Sequence, residues 1–273
     1  TNNPFEDFLR KVKTLLKEDG KVLIAIENRF GLKYLCGASE DHLQKPYVGI
    51  NGYKEPKTPT TFSKYELQQM LSNVGLAKNR FYYALPDYRF PQLIYTDEYL
   101  PKFEELQKVP FTYSKGSQLT SNEKELYKDV IENGVFGLVA NSYLIEATAG
   151  QLPEDKIIHV SARGECKKKY RITTKIDNHK NVIKEPCHIE AIDHVKNIYL
   201  TNELFLNRGI KVLPATYKED KLVLKYFEGK KADKEFIKYL RTNDLKSLCA
   251  MIDNLRSNII KSSEIVQDGK NII

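Results

Sequence analysis

Apolar side chains recur at three- and four-residue steps from Phe5 through Phe8, Leu9, Val12, Leu15 and Leu16, the spacing of one buried helix face. Asn3, Pro4 and Glu6 stand where a helix start needs a side-chain acceptor, a fixed φ and a negative charge, and Gly20 is placed for a left-handed stop. The helical period then disappears. Val22-Leu23-Ile24-Ala25-Ile26 is apolar without alternation, the habit of a strand covered on both faces in a parallel sheet. Polar Glu27, Asn28 and Arg29 end the run abruptly. Ligands of such sheets gather beyond the carboxyl ends of the strands, so Glu27 and Asn28 stand either at a site or in an ordinary polar loop.

From Arg29 to Pro59 periodicity is weak and Gly, Pro, Tyr and Lys are frequent; Tyr34, Leu35, Tyr47, Val48, Ile50 and Tyr53 give this long loop apolar anchors. Ser63 and Glu66 form a capping box, with Phe62 and Leu67 as a hydrophobic staple; Leu67, Met70, Leu71 and Val74 make the buried stripe before Gly75. Arg80 to Leu85 and Gln92 to Thr96 read as antiparallel strands joined by Pro86-Asp87-Tyr88-Arg89-Phe90-Pro91. Residues 102–121 read as a linker, which gives a first unit of 1–101 and a second of 122–273.

The second unit opens with a helix from Asn122 to Glu132, punctuated by Gly134. Strand-rich runs follow at Val135 to Ala147, Lys156 to Ala162, Tyr170 to Ile176 and Asn181 to Lys184, as in an antiparallel sheet of hairpins. A helix is expected from Ile189 to Asn207, with Ile192, Val195, Ile198, Tyr199 and Leu206 inward and Gly209 as its stop. Lys211 to Tyr217 and Leu222 to Phe227 form a hairpin around Glu219-Asp220, and helices close the chain from Asp233.

Composition narrows this picture only in places. Hydrophobic residues make up 41%, enough for a real core, and the net charge is +7, but the lysines are dispersed among acids. Lys167-Lys168-Lys169 is the densest basic run, and no basic stripe with interleaved aromatics argues for nucleic acid. Cys36, Cys166, Cys187 and Cys249 form no CxxC pair, so neither a metal site nor a disulfide framework is signalled; free thiols suit a reducing compartment, and cytoplasm is the expectation. No apolar run is long enough for a transmembrane helix. A chain that starts at Thr1 and opens straight into a helix signal reads as a piece of something longer.

In its element order the first unit resembles the C-terminal half of a class I S-adenosylmethionine-dependent methyltransferase, with LLKEDGKVLIAIEN leading into the fifth strand and TFSKYELQQMLSNVGL giving the next helix. IENRFGLKYLCGASEDH, GINGY and LPDYRFPQLIY resemble more narrowly a bacterial subgroup associated with surface polysaccharides. The resemblance implies a partial Rossmann-like α/β sheet, a cofactor site lying mostly ahead of Thr1, and an acceptor that is a glycan or nucleotide-sugar. This chain would then supply the acceptor side through Glu27, Asn28, Glu40 and Asp41, with His42 as base, a residue whose ordinary pKa lies near neutrality. Taken by itself His42 is more often a solvated loop side chain, and Asp87 and Tyr88 are either site residues or turn-formers between prolines. The chain alone is expected to be inactive.

The second unit resembles the N-terminal lobe of aminoglycoside and choline phosphotransferases, an α+β kinase-like lobe. Val182-Ile183-Lys184 looks like the lysine-bearing strand, and LVLKYFEG from Leu222 like the strand to the hinge. The likeness implies ATP with magnesium, Lys184 on the phosphates and Glu190 orienting it. It lacks a GxGxxG loop and an HxD sequence, so Lys184 is equally an edge-strand surface residue and the lobe a non-catalytic one. A binding module for carbohydrate or protein, with both units silent, is the remaining reading.

Overall fold

The computed structural model describes residues 3–54, 59–154, 156–162 and 167–263, with side chains through Ile260; Cys166 lies outside them. It is an α+β chain in two compact units, Thr1–Gly164 and Glu165–Ile273.

In the first unit α1 spans Pro4–Thr14, and Asn3 Oδ1 accepts from the amides of Phe5 and Glu6. The helix ends at Thr14 with Leu15 right-handed, so Gly20 is not its left-handed stop. Gly20 serves a close approach instead, because a Cβ there would lie 2.8 Å from the carbonyl of Lys17. β1 covers Val22–Glu27, α2 Leu32–Leu35, α3 Lys64–Asn73, β2 Lys78–Leu85 and β3 Leu93–Tyr95. The capping box of α3 forms as read, and Leu67, Met70 and Leu71 are buried. α4 covers Phe103–Leu106, α5 Glu123–Glu132, α6 Phe136–Val139, β4 Ser142–Thr148 and β5 Ile157–Ala162.

The strands of this unit follow the order β1-β4-β2-β3-β5, each antiparallel to its neighbour. The parallel, doubly covered strand expected over Val22 to Ile26 is therefore corrected. β1 pairs antiparallel with β4, Val22 opposite Ala147 and Glu27 opposite Ser142. Its inner face of Val22, Ile24 and Ile26 packs on the core, while Leu23 is 68% exposed. Because Leu23 and Ala25 are apolar although they face outward, the alternation was hidden in the sequence. The strand expected from Val135 is also shortened, since Phe136–Val139 is a helical turn that buries Phe136 against the aromatic core.

That core is built on Tyr83, Tyr95, Tyr127, Phe136 and Tyr143, all fully buried. Their rings meet edge to face, Tyr83 on Phe136 at 5.7 Å and Phe81 on Tyr143 at 5.3 Å, the geometry that the ring quadrupole favours. Leu106 and Val109, in the stretch read as a linker, are buried in the same core, which holds residues 102–162 in the first unit.

The second unit contains β6 Ile172–Asp177, β7 Asn181–Pro186, α7 Ile192–Asn207, β8 Ala215–Lys218, β9 Lys221–Lys225, α8 Ala232–Arg241 and α9 Leu245–Ser263. Its strands follow the order β6-β7-β9-β8, antiparallel throughout. The β8–β9 turn places Glu219 and Asp220 at φ 52° and 58°. Of the inward face expected for α7 only Val195 is fully buried.

Candidate functional site

A cluster of buried polar side chains sits where β1 ends. β4 lies alongside β1 through to Glu27, the last strand residue, and α2 begins five residues later. Gly31 makes that sharp entry, since a Cβ there would meet the Asn28 carbonyl at 3.0 Å and Asn141 Cα at 3.1 Å. α2 thereby turns Lys33 and Tyr34 back over the strand end, and both are buried.

Glu27, 4% exposed, receives three donors: Lys33 Nζ at 3.3 Å and Arg89 Nη2 at 3.2 Å on Oε1, and the Tyr34 hydroxyl at 2.8 Å on Oε2. Arg89 Nη2 also reaches Asp41 Oδ2 and Asp87 Oδ2, each at 3.2 Å. Lys33 Nζ lies 3.5 Å from Asp41 Oδ2, and the Ser114 hydroxyl donates to Asp41 Oδ1. The Arg89 guanidinium rests over the Tyr88 ring, 5.8 Å from its centroid. Three carboxyl groups thus share two cations, and the charges balance when one acid holds a proton.

Burial pushes the Glu27 carboxyl above the usual range, a hydrogen bond with Asp41 adds to the rise, and Lys33 and Tyr34 oppose it. For Asp41 burial acts upward too, but the hydrogen bonds from Glu27 and Ser114 and the charges of Lys33 and Arg89 prevail and hold it well below the carboxylate range. A raised Glu27 beside a depressed Asp41 is the split that like charges in one site favour.

A further set of polar contacts fixes this cluster from behind. The amide of Lys33 donates to Asn141 Oδ1 at 3.0 Å, and Asn141 Nδ2 donates to Glu123 Oε1 at 2.6 Å. Glu123 is 1% exposed and also accepts from the Tyr127 hydroxyl; burial first of all raises its pKa. Burial and then the Glu123 carboxylate push the Cys36 thiol up to about 11, which leaves it an inert packed residue.

Of the residues singled out in the sequence, Glu27, Asp41, Asp87 and Tyr88 come together here. Asn28 does not face the cluster. Fully buried, it donates to the carbonyls of Leu138 and Ala140 at 2.8 and 2.9 Å and ties β1 to the start of β4. Glu40, 2% exposed, accepts from the amides of His42 and Leu43 at 2.8 and 2.7 Å and so shapes the turn that presents Asp41. His42 lies exposed beside it and joins the described hydrogen bonds through its backbone amide. Arg89, Lys33, Tyr34 and Ser114 were not singled out. In the second unit Lys184 Nζ donates to Thr174 Oγ1 at 3.3 Å, while Glu190 stands 3.6 Å from His188 Nδ1.

The chain matches no protein-family model, no curated protein and no solved structure. Among the described residues no helix is long and apolar enough to cross a membrane.

Proposed function

We propose that the cluster at the end of β1 is the acceptor side of an S-adenosylmethionine-dependent methyltransferase acting on a cell-surface polysaccharide or its precursor, through a hydroxyl of a glycan or nucleotide-sugar. The observation that carries this reading is Glu27, a buried strand-end carboxyl whose pKa is raised and whose orientation is fixed by Lys33, Tyr34 and Arg89. A general base works best when its pKa approaches the working pH, and a raised carboxyl meets that condition where an ordinary surface acid does not.

In this reading Arg89, whose side chain is 46% exposed, donates to the incoming acceptor and aligns it. Glu27 in its ionised form would take the hydroxyl proton of the acceptor. Buried Lys33 and Tyr34 keep water from the carboxyl while holding it in place. The bound cofactor supplies an electrophilic methyl group on a sulfonium, and three acids against two cations suit a cationic neighbour.

Two features of the sheet support the fold side of the proposal. β1 and β2 both run antiparallel to the β4 between them, hence in the same direction as each other. The outer edge of β1 has no strand partner among the described residues, so parallel strands of a larger Rossmann-like sheet could add there, with the cofactor pocket on residues ahead of Thr1.

The test is transfer of a labelled methyl group to glycans and nucleotide-sugars by protein extended at its amino end. Label incorporation that falls about 10²-fold or more in Glu27→Gln is expected. Extended protein that neither bound the methyl donor nor labelled any acceptor would overturn the proposal. A second reading, a phosphotransferase lobe, draws on Lys184, whose pKa burial lowers. Calorimetric binding of ATP with magnesium that disappears in Lys184→Met would favour it.

A further inference from the structure

A cavity of about 150 Å³ opens on the β3–β5 face of the first unit, between the sheet and the segment that carries α4. Register builds its floor. Leu93 lies opposite Ser161 and Tyr95 opposite His159, and residues two apart on a strand share a face, so these four side chains form one surface. Glu105, Lys108 and Val109 supply the opposing wall, and Gln92 the rim.

His159 is 7% exposed and its ring packs on Tyr95 and Tyr99, centroids 4.6 and 4.8 Å away. Nδ1 lies 2.9 Å from the Ile94 carbonyl, which can only accept, so Nδ1 carries the proton and Nε2 presents a lone pair. Burial holds the imidazole pKa below its ordinary value, which keeps the ring neutral. Nε2 has no hydrogen-bond partner among the described residues, and His159 lines the cavity. Glu105 Oε2 accepts from the Tyr95 hydroxyl at 3.0 Å and the Lys102 amide at 3.2 Å, leaving Oε1 available.

We propose that this cavity binds a single pyranose ring. Leu93 and Val109 offer apolar contact, while His159 and Glu105 accept, Lys108 donates, and Ser161 and Gln92 do both. Acceptors and donors on opposing walls suit hydroxyls spread around a ring periphery. A flat heteroaromatic ring satisfies only groups near its own plane. Arg89 and Gln92 are three residues apart, at most about 10 Å along the backbone, so a glycan held at the β1 cluster could place a neighbouring sugar here. The proposal stands on the cavity and not on the methyltransferase reading; only this last step rests on that reading.

The test follows the imidazole resonances of His159 in the whole chain as methyl glucoside, methyl galactoside and N-acetylglucosamine are added. We expect a saturable shift with at least one pyranoside, at a Kd of order 1 mM or tighter. Ser161→Leu fills the cavity from its floor and abolishes the shift while the fold, checked by the remaining histidine resonances, persists. Glu27→Gln leaves the shift unchanged, which separates this site from the methyl-transfer proposal. Absence of a saturable shift with all three sugars, or binding undiminished in Ser161→Leu, overturns the assignment.

Discussion

Lys33 and Lys184 are both drawn partly out of water, one in each unit, and they are handled in opposite ways. Lys33 is buried among charges that need it: its ammonium lies 3.3 Å from Glu27, 3.5 Å from Asp41 and 4.7 Å from the centre of the Tyr34 ring. Lys184 sits on a strand of half-buried residues, and its amine has a hydroxyl, Thr174 Oγ1, as its hydrogen-bond partner. A buried cation with anionic partners becomes part of the structure, whereas one without them relieves its desolvation by giving up its proton more easily, and burial accordingly lowers the pKa of Lys184.

The largest expected effect tests that contrast at Lys33. Lys33→Met leaves Asp41 and Glu27 with Arg89 alone, and breaking a buried pair from one side costs about 3–5 kcal/mol. Denaturant unfolding at neutral pH measures it, and a loss under about 1 kcal/mol would mean that Arg89 alone neutralises the acids. Removing the reciprocal cap of α3 in Ser63→Ala should cost about 1 kcal/mol, since this cap satisfies one helix amide directly and orders Glu66. Lys184→Met should stay within about 0.5 kcal/mol of the parent. A loss comparable with that of Lys33→Met would give Lys184 a structural role that its contacts do not.

The pH dependence sharpens the same comparison by sign. Glu27 has a raised folded pKa, so its favourable contribution is complete below the ordinary carboxylate range and is lost as pH rises through the folded value. Asp41 is depressed, so its contribution is present above that range and disappears as pH falls toward the folded value. Lys184, also depressed, gives a stability that rises with pH as the alkaline range is approached. Glu27→Gln should remove the first of these slopes from unfolding curves measured across pH 4 to about 8.

Much of the local structure was legible in the sequence because its causes are local. Ser63 with Glu66 and Asn3 with Pro4 announced helix starts that form as read, and Asp87 in a turn between prolines does accept the Arg89 amide at 2.7 Å. Non-local pairing was not legible. Nothing in Val22 to Ile26 says that its neighbour is Tyr143 to Ala147, more than a hundred residues later and running the other way. Arg89 was missed for the same reason: its local context is a turn, while its partners Glu27 and Asp41 lie 62 and 48 positions away. Asn141, a polar residue within the mostly apolar GLVANSYLI, was the available hint of the buried chain to Glu123. The strand-end position drew attention to Glu27, which lies buried among Lys33, Tyr34 and Arg89, yet its neighbour Asn28 saturates its amide on backbone carbonyls instead of facing the cluster.

The site account rests on the protonation of Glu27, which can be observed directly. A carbon-13 titration of the side-chain carboxyls, with Glu27→Gln to identify the resonance, reads that pKa alone. The account predicts a midpoint above the ordinary glutamate value of about 4.3, with Asp41 still ionised at the lowest pH the fold survives. A Glu27 midpoint at or below that value would contradict the raised carboxyl and remove the observation that carries the proposed base.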